Sequence, residues 1–298
     1  MAESPSPLGV STSSVWALTA GGRRYVARQR LDGDARLALK EAYLSDLLRR
    51  RGVPAAEVLA VVAGEHGVAT LSPLLAGIRL DRAVASLPVD DLQSAWRSTG
   101  EALRSAHGIV LPEAGEIVGD RVEPFPGGWA RWVTDGLADD VEWLRAALGG
   151  PAIGRPFLDR VVVAAADALQ RAPVRLIHND ALPQNVLVAP GPEGWRCTGW
   201  LDWEFARAAD PLWDLARLDF RPAGLVPSAF YEGYGTRPAE PQASVYELLT
   251  ATWRTRAELE HGSSWTWPPP PARVGYLRGL PDRIERLAGL LGVPDRTA

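Results

Sequence analysis

Three oxygen-bearing side chains could do chemistry together: Asp180 and Asn185 in His178-Asn179-Asp180-Ala181-Leu182-Pro183-Gln184-Asn185, and Asp202 in Trp200-Leu201-Asp202-Trp203-Glu204. One carboxylate can orient or deprotonate an attacking hydroxyl, while an amide and a second carboxylate hold magnesium on nucleotide phosphates. Magnesium takes hard oxygen ligands and keeps several waters, so two protein ligands are enough. The plainer alternative is that each aspartate caps a turn or a strand end, as most loop aspartates do.

Such a set works only on a rigid mount. Val174, Leu176 and Ile177 predict an apolar strand entering the loop, and Val186, Leu187 and Val188 a second one leaving it. Pro190-Gly191-Pro192-Glu193-Gly194 has the composition of a hairpin connection. The next strand, Thr198 to Leu201, should therefore return alongside and deliver Asp202 to the same end.

The His-x-Asp-x-x-x-x-Asn spacing, Asp202-Trp203-Glu204 in place of the protein-kinase Asp-Phe-Gly, and the following Asp210-Pro211-Leu212-Trp213-Asp214-Leu215 resemble the aminoglycoside phosphotransferase and choline kinase-like family. These are small-molecule kinases with a protein-kinase-like fold, and the resemblance covers nearly the whole chain. It implies an α+β, bilobal fold: a nucleotide-binding lobe with a small antiparallel sheet at residues 1–77, hinge included, and a mainly helical catalytic and acceptor-binding lobe at 78–298. It implies Asp180 as the catalytic carboxylate, Asn185 and Asp202 as Mg2+ ligands, His178 as a support of the loop, and Asp210 and Asp214 as its braces. The implied activity is transfer of the γ-phosphate of ATP or GTP to a hydroxyl of a small cationic molecule, foremost an aminoglycoside or related antibiotic, a resistance role. A metabolic kinase for choline, an amino sugar or an amino alcohol is the alternative within enzymes. A nucleotide-binding pseudokinase is the alternative outside them.

Ser14 to Thr19, the turn Ala20-Gly21-Gly22-Arg23 and Arg24 to Arg28 predict a hairpin within residues 8–30. Gly9-Val10-Ser11-Thr12-Ser13-Ser14 falls where the family's phosphate-covering loop would lie, with one glycine in place of three; Ser11 and Ser13 are its candidate phosphate contacts. Arg28 stands where kinases place the lysine that grips the α- and β-phosphates. A guanidinium carries the same charge and can bind phosphate bidentately. A helix from about Arg36 to Arg51 carries Leu37, Leu44, Leu47 and Leu48 on one stripe. Its Glu41 resembles the glutamate that pairs with the gripping cation, whereas Lys40 points about 100° away. After Gly52-Val53-Pro54, apolar runs at Val58 to Val62 and Val68 to Leu71 complete the sheet. Ser72-Pro73-Leu74-Leu75-Ala76-Gly77 reads as the crossing between lobes. By resemblance it offers backbone groups to the purine edge, and since Pro73 has no N–H, the donors are Ser72, Leu74 and Leu75.

In the second lobe, a helix opened by Asp90 or Asp91 runs to His107 and stops at Gly108. Residues 124–150 are aromatic and acidic, with Trp129, Trp132 and Trp143 read as helix core and the acids as an attraction for a cationic acceptor. Further helices are predicted at Arg160 to Ala172 and Val245 to Glu260. Glu204, Glu258 and Trp265 are candidates for acceptor contact, carboxylates for amines and an indole for a ring face.

Length and charge bound the rest. The 298 residues exceed what one core usually organises, and 46% hydrophobic content is ample for a packed protein. The net charge of −4, distributed as +2 over residues 1–77 and −6 over the remainder, argues against a nucleic-acid partner. The single cysteine, Cys197, excludes an internal disulfide or a cysteine-based zinc site. The first residues lack a signal-peptide pattern and no run approaches 18 apolar residues, so no membrane association and a cytoplasmic location are expected. The sequence carries no information on oligomeric state.

Overall fold

The amino-terminal part builds a five-stranded antiparallel sheet from β1 (Ser6–Val10), β2 (Ser13–Ala20), β3 (Arg23–Arg30), β4 (Ala60–Gly64) and β5 (Gly67–Pro73), in the order β1-β2-β3-β5-β4. The computed structural model describes residues 6–10, 13–30, 34–64, 67–148, 155–219, 226–261 and 280–294. The predicted hairpin is present, its turn made by Gly21 and Gly22 at positive φ. It is preceded by a strand, β1, which takes in Gly9 and Val10 of the segment read as a phosphate-covering loop. Ser11 lies outside the described residues.

Between β3 and β4 runs α1 (Ala35–Arg50). Asp34 caps it by accepting the Arg36 N–H at 2.9 Å. At its other end the Val53 N–H bonds Leu48 O and the Gly52 N–H bonds Arg49 O, both at 3.0 Å, with Gly52 at φ +74°. This paired reversal needs the left-handed conformation that glycine adopts without strain. Leu44 and Leu48 are buried as the stripe predicts, and Lys40 is buried as well.

The remaining chain is mainly helical with two small sheets. Strand β6 (Ile78–Arg79) leads into α2 (Leu80–Ser86) and the long α3 (Val89–His107). The hairpin β7 (Gly115–Val118) and β8 (Arg121–Pro124) precedes α4 (Gly128–Leu148) and α5 (Arg155–Leu169). Next come β9 (Arg175–Ile177), β10 (Val186–Gly191), β11 (Gly194–Trp200) and β12 (Arg207–Ala209), then α6 (Leu212–Asp219), α7 (Ser228–Tyr234), α8 (Gln242–His261) and α9 (Leu280–Leu290). The sheets have the orders β11-β10-β6 and β8-β7-β12-β9. One apolar core joins α1, α3, α7, β10 and β11; a second joins α4, α5, α8 and α9 beneath β9, β12 and α6.

Helices α3 and α7 meet through glycine. A Cβ at Gly100 would lie 2.1 Å from Phe230 O, and one at Gly233 would lie 2.0 Å from Arg97 O. This close approach sets Tyr234, on the last turn of α7, beside His107, on the last turn of α3. No described helix is long and apolar enough to cross a membrane.

Candidate active site

The loop between β9 and β10 is fixed by one buried carboxylate. Asp214 Oδ2 accepts the His178 N–H at 2.7 Å, and Oδ1 accepts the Asn179 N–H at 2.8 Å. Behind it, His107 Nε2 lies 3.1 Å from Oδ2 while His107 Nδ1 meets the Tyr234 hydroxyl at 2.8 Å. Burial alone would raise the pKa of Asp214, but His107 and the loop amide hold it below the ordinary aspartate value. Asp210 braces a different joint: it caps α6 at Leu212 N (3.0 Å) and accepts the Tyr246 hydroxyl of α8 at 2.7 Å.

His178 is a support, as the resemblance implies. Its Nε2 lies 2.8 Å from Leu201 O, and its Nδ1 is 3.3 Å from the Asp180 N–H. These contacts assign the neutral Nε2–H tautomer and tie the catalytic loop to the end of β11. Asn179, at φ +63°, holds the Trp213 indole N–H at 2.6 Å and donates to Phe205 O at 3.1 Å.

The three residues predicted to converge do so. Asn185, in a 3-10 turn at Pro183–Asn185, donates from Nδ2 to Asp180 O at 2.9 Å and to Asp180 Oδ2 at 2.8 Å. The Leu201 N–H bonds Asn185 O at 2.8 Å, which clamps the entry to Asp202 onto the same loop. The β10–β11 hairpin, closed at Gly191 and Gly194, makes this possible. Asp202 sits in the left-handed region (φ +66°, ψ +53°), a conformation costing about 1–3 kcal/mol for a residue other than glycine.

Arg28 reaches into this cluster from β3. Its Nε bonds Ser13 Oγ at 3.2 Å, Nη1 lies 3.4 Å from both Glu41 oxygens and 3.0 Å from Asp202 Oδ1, and Nη2 lies 3.1 Å from Glu204 Oε2. Burial works against the guanidinium charge, but Asp202, Glu41 and Glu204 together raise its pKa above the ordinary arginine value. Glu41 is pushed up to about 7, because desolvation outweighs its attraction to Arg28.

Glu204 requires a correction. It is buried between Arg28 and Arg30, with its carboxylate on both guanidinium groups, and it faces away from the acceptor side on which the sequence placed it. Arg30, two residues along the same strand face as Arg28, is its second partner. The side chain of Glu258, on α8, and all of Trp265 lie outside what the structure describes.

Two cavities meet at the catalytic loop. One, of about 480 Å³, lies under the sheet and is lined by Ser13, Val26, Arg28, Leu75, Asn185 and Asp202 among others. Ser72 and Leu74 also line it. Leu74 is corrected as a donor, however, because its N–H already bonds Arg24 O at 3.0 Å. Ser72 lies opposite Val26 in the β3–β5 ladder, and the alternation of bonded pairs from Arg24 and Leu74 directs its N–H into the sheet. Among the described residues, the Leu75 N–H has no hydrogen-bond partner, so of the three candidate donors it is the one left unengaged. Gly77 follows at φ +131°, with Val188 O 2.6 Å from the place of a Cβ, so only glycine lets the hinge pass β10.

The second cavity, about 540 Å³, opens beyond Asp180 between α4, α6 and α8. Gln184 lines both, and its Oε1 is buried without a hydrogen-bond partner. Sequence reasoning missed Gln184, Arg30, Phe205 and Trp253. The position of Gln184 inside the loop motif was the one signal available for any of them.

Magnesium fits the residues at the junction. Asp202 Oδ1 is buried with the Arg28 guanidinium, 3.0 Å away, as its neighbour, and the amide nitrogen of Asn185 is engaged by Asp180, which leaves the Asn185 oxygen for a cation. A carboxylate and an amide oxygen suit a metal that keeps several waters. Among the described residues no group of three or more His, Cys, Asp or Glu side chains is placed to hold a metal ion of any kind.

The family model of the phosphotransferase enzyme family matches residues 4–259, and the chain belongs to that family. Among solved structures it is similar to a thermostable mutant of the aminoglycoside phosphotransferase APH(4)-Ia in a ternary complex with ADP and hygromycin B. That match has 18% identity and a TM-score of 0.70, covering 99% of this chain and 96% of that one. It is also similar to the GDP and kanamycin complex of APH(2″)-IIia, at 15% identity and a TM-score of 0.60, covering 97% and 94%. No curated protein matches the sequence. The chain is thus a phosphotransferase of protein-kinase-like fold, a kinase by class.

Proposed function

We propose that this enzyme moves the γ-phosphate of ATP or GTP to a hydroxyl of a small molecule, with residues 1–77 holding the nucleotide and residues 78–298 the acceptor. The observation that carries this reading is the meeting of the two cavities at one hydrogen bond. Asp180 lines the acceptor side, Asn185 and Asp202 line the nucleotide side, and Asp180 Oδ2 and Asn185 Nδ2 are 2.8 Å apart.

Asp180 orients the acceptor hydroxyl and takes its proton as the acceptor oxygen bonds to the γ-phosphorus. The bond from that phosphorus to its bridging oxygen breaks, and the nucleoside diphosphate leaves. Arg28 grips the phosphates, with Glu41 and Ser13 fixing its guanidinium. Asn185 and Asp202 would hold Mg2+, which when bound neutralises phosphate charge. Leu75 offers its N–H to the purine edge. A cytoplasmic location fits the nucleotide requirement.

An aminoglycoside acceptor, with a role in antibiotic resistance, is the second reading. The hygromycin B and kanamycin bound to the two similar structures favour it. The lining of this chain's acceptor cavity weighs against it, as argued below.

The test is nucleoside-diphosphate release with Mg2+ and ATP or GTP across an acceptor panel, with and without a chelator, and with Asp180→Asn in parallel. Acceptor-dependent release that stops with the chelator and falls roughly 10²–10⁴-fold in Asp180→Asn is the expected result. Release indifferent to Asp180 would overturn the assignment.

A further inference from the structure

The acceptor cavity is lined by three arginines, Arg207, Arg217 and Arg256, and three carboxylates, Asp139, Asp140 and Asp180. Most of these charges are already answered within the protein. Arg256 Nη1 lies 3.2 Å from Asp140 Oδ1 and its Nε 3.1 Å from Glu260 Oε1, Arg217 Nη2 lies 3.8 Å from Asp180 Oδ1 while its Nη1 bonds Asn179 O, and Arg207 Nε lies 2.7 Å from Glu116 Oε1. Burial pushes Asp140 up to about 6 against the pull of Arg256, which weakens it further as a seat for a cation. A molecule with several ammonium groups needs a surplus of carboxylates. Among the described residues that line it, this wall sets three carboxylates against three guanidinium groups and has no surplus.

The rest of the wall is aromatic and apolar, with Trp132, Trp213 and Leu249 among its members. Phe205 is 46% exposed and Trp253 43% exposed, and both line this cavity. Large rings left in water at a cavity wall favour an apolar ligand that covers them. The arginines also occupy ring faces that would otherwise attract a ligand cation. The Arg217 guanidinium carbon lies 5.2 Å from the Trp253 ring centre and 5.4 Å from that of Trp213, and that of Arg207 lies 4.8 Å from Trp132.

We infer that the acceptor is an alcohol with a flat apolar body, aromatic or fused-ring, and at most one positive charge, its body packed on Phe205 and Trp253 and its hydroxyl at Asp180. This rests on the phosphotransferase reading of the same site.

The experiment compares two probe sets on the full chain with Mg2+ and nucleotide. One set is uncharged phenyl-, naphthyl- and fused-ring alcohols; the other is kanamycin and hygromycin B. Binding is followed by ligand-observed NMR and turnover by nucleoside-diphosphate release, in wild type, Trp253→Ala and Phe205→Ala. Both variants alter exposed rings, and thermal melts check that they fold. The uncharged set should bind and turn over, with the acceptor Kd or KM rising about tenfold in each variant, the loss of one aromatic contact. The inference is overturned if the uncharged set fails to bind, if its binding is indifferent to both substitutions, or if the polycations bind more tightly. The phosphotransferase reading fails separately, if nucleotide turnover with every acceptor and with water is unchanged in Asp180→Asn.

Discussion

Replacing Glu41 by glutamine separates what this carboxylate does for the site from what it costs the fold. Its pKa rises from 4.5 to about 7 because burial disfavours the charge more than Arg28 restores it. Between those values the folded state holds a proton that the unfolded state releases. Stability from this group is therefore highest below pH 4.5 and falls as the pH rises through 7. The shift corresponds to about 3 kcal/mol lost by pH 8, to order of magnitude. In Glu41→Gln that component is absent, so urea unfolding of the nucleotide-free protein should show a gain over wild type that grows to about 3 kcal/mol between pH 5 and pH 8. Nucleotide turnover should fall in the same variant, since Arg28 loses the partner that aims it. Parallel stability curves for the two proteins from pH 5 to pH 8 would refute the reasoning.

Asp214→Asn removes the charge that two loop amides share and should lower stability by about 3 kcal/mol, read by denaturant midpoint. In wild type, where the pKa of Asp214 is depressed, its contribution is present above pH 3.8 and lost as the pH falls below that value. Gly100→Ala drives a Cβ into backbone atoms of α7 and should cost about 3 kcal/mol, with a lowered Tm. Gln184→Leu leaves the loop backbone in place but removes the amide at the junction of the cavities; kcat should fall about tenfold or more with little change in nucleotide affinity, checked by steady-state kinetics and a binding titration.

The catalytic loop was legible in the sequence because its parts are local. Asp180 and Asn185 share one turn, and Asp202 follows across one hairpin whose Pro and Gly residues announce it. Arg28 and Glu41 were singled out by the resemblance, which marks one position on the strand and one on the helix, and the fold brings the two within 3.4 Å. The misreadings involve distant partners. Glu204 follows Asp202 closely, yet its place is decided by Arg28 and Arg30, more than 170 residues earlier. Lys40 was read as pointing off to one side, and nothing near it in the chain signals that Glu116 lies opposite. The acidic run in α4 suggested a cationic acceptor. In the fold, Asp135 pairs with Arg131 at the surface and Asp140 with Arg256 of α8, while Asp139 stays exposed at the cavity wall, an arrangement that composition alone does not show. The hinge donor depended on which N–H groups the ladder had already engaged, which only strand register decides.

Lys40 is the one lysine of the chain. Burial lowers its pKa to about 8, with Glu116 opposing the shift and Arg207 adding to it. At mildly alkaline pH much of it is the free amine, so the side-chain amine nucleophilicity of this protein is confined to a single atom beneath α1. Because only 4% of the side chain is exposed, an acylating reagent reaches that atom only through local opening around it, which makes the labelling rate a clock for that opening. Reactive nucleotides designed to acylate the lysine that other kinases carry on this strand would meet Arg28, and the enzyme would pass through such a survey unmarked.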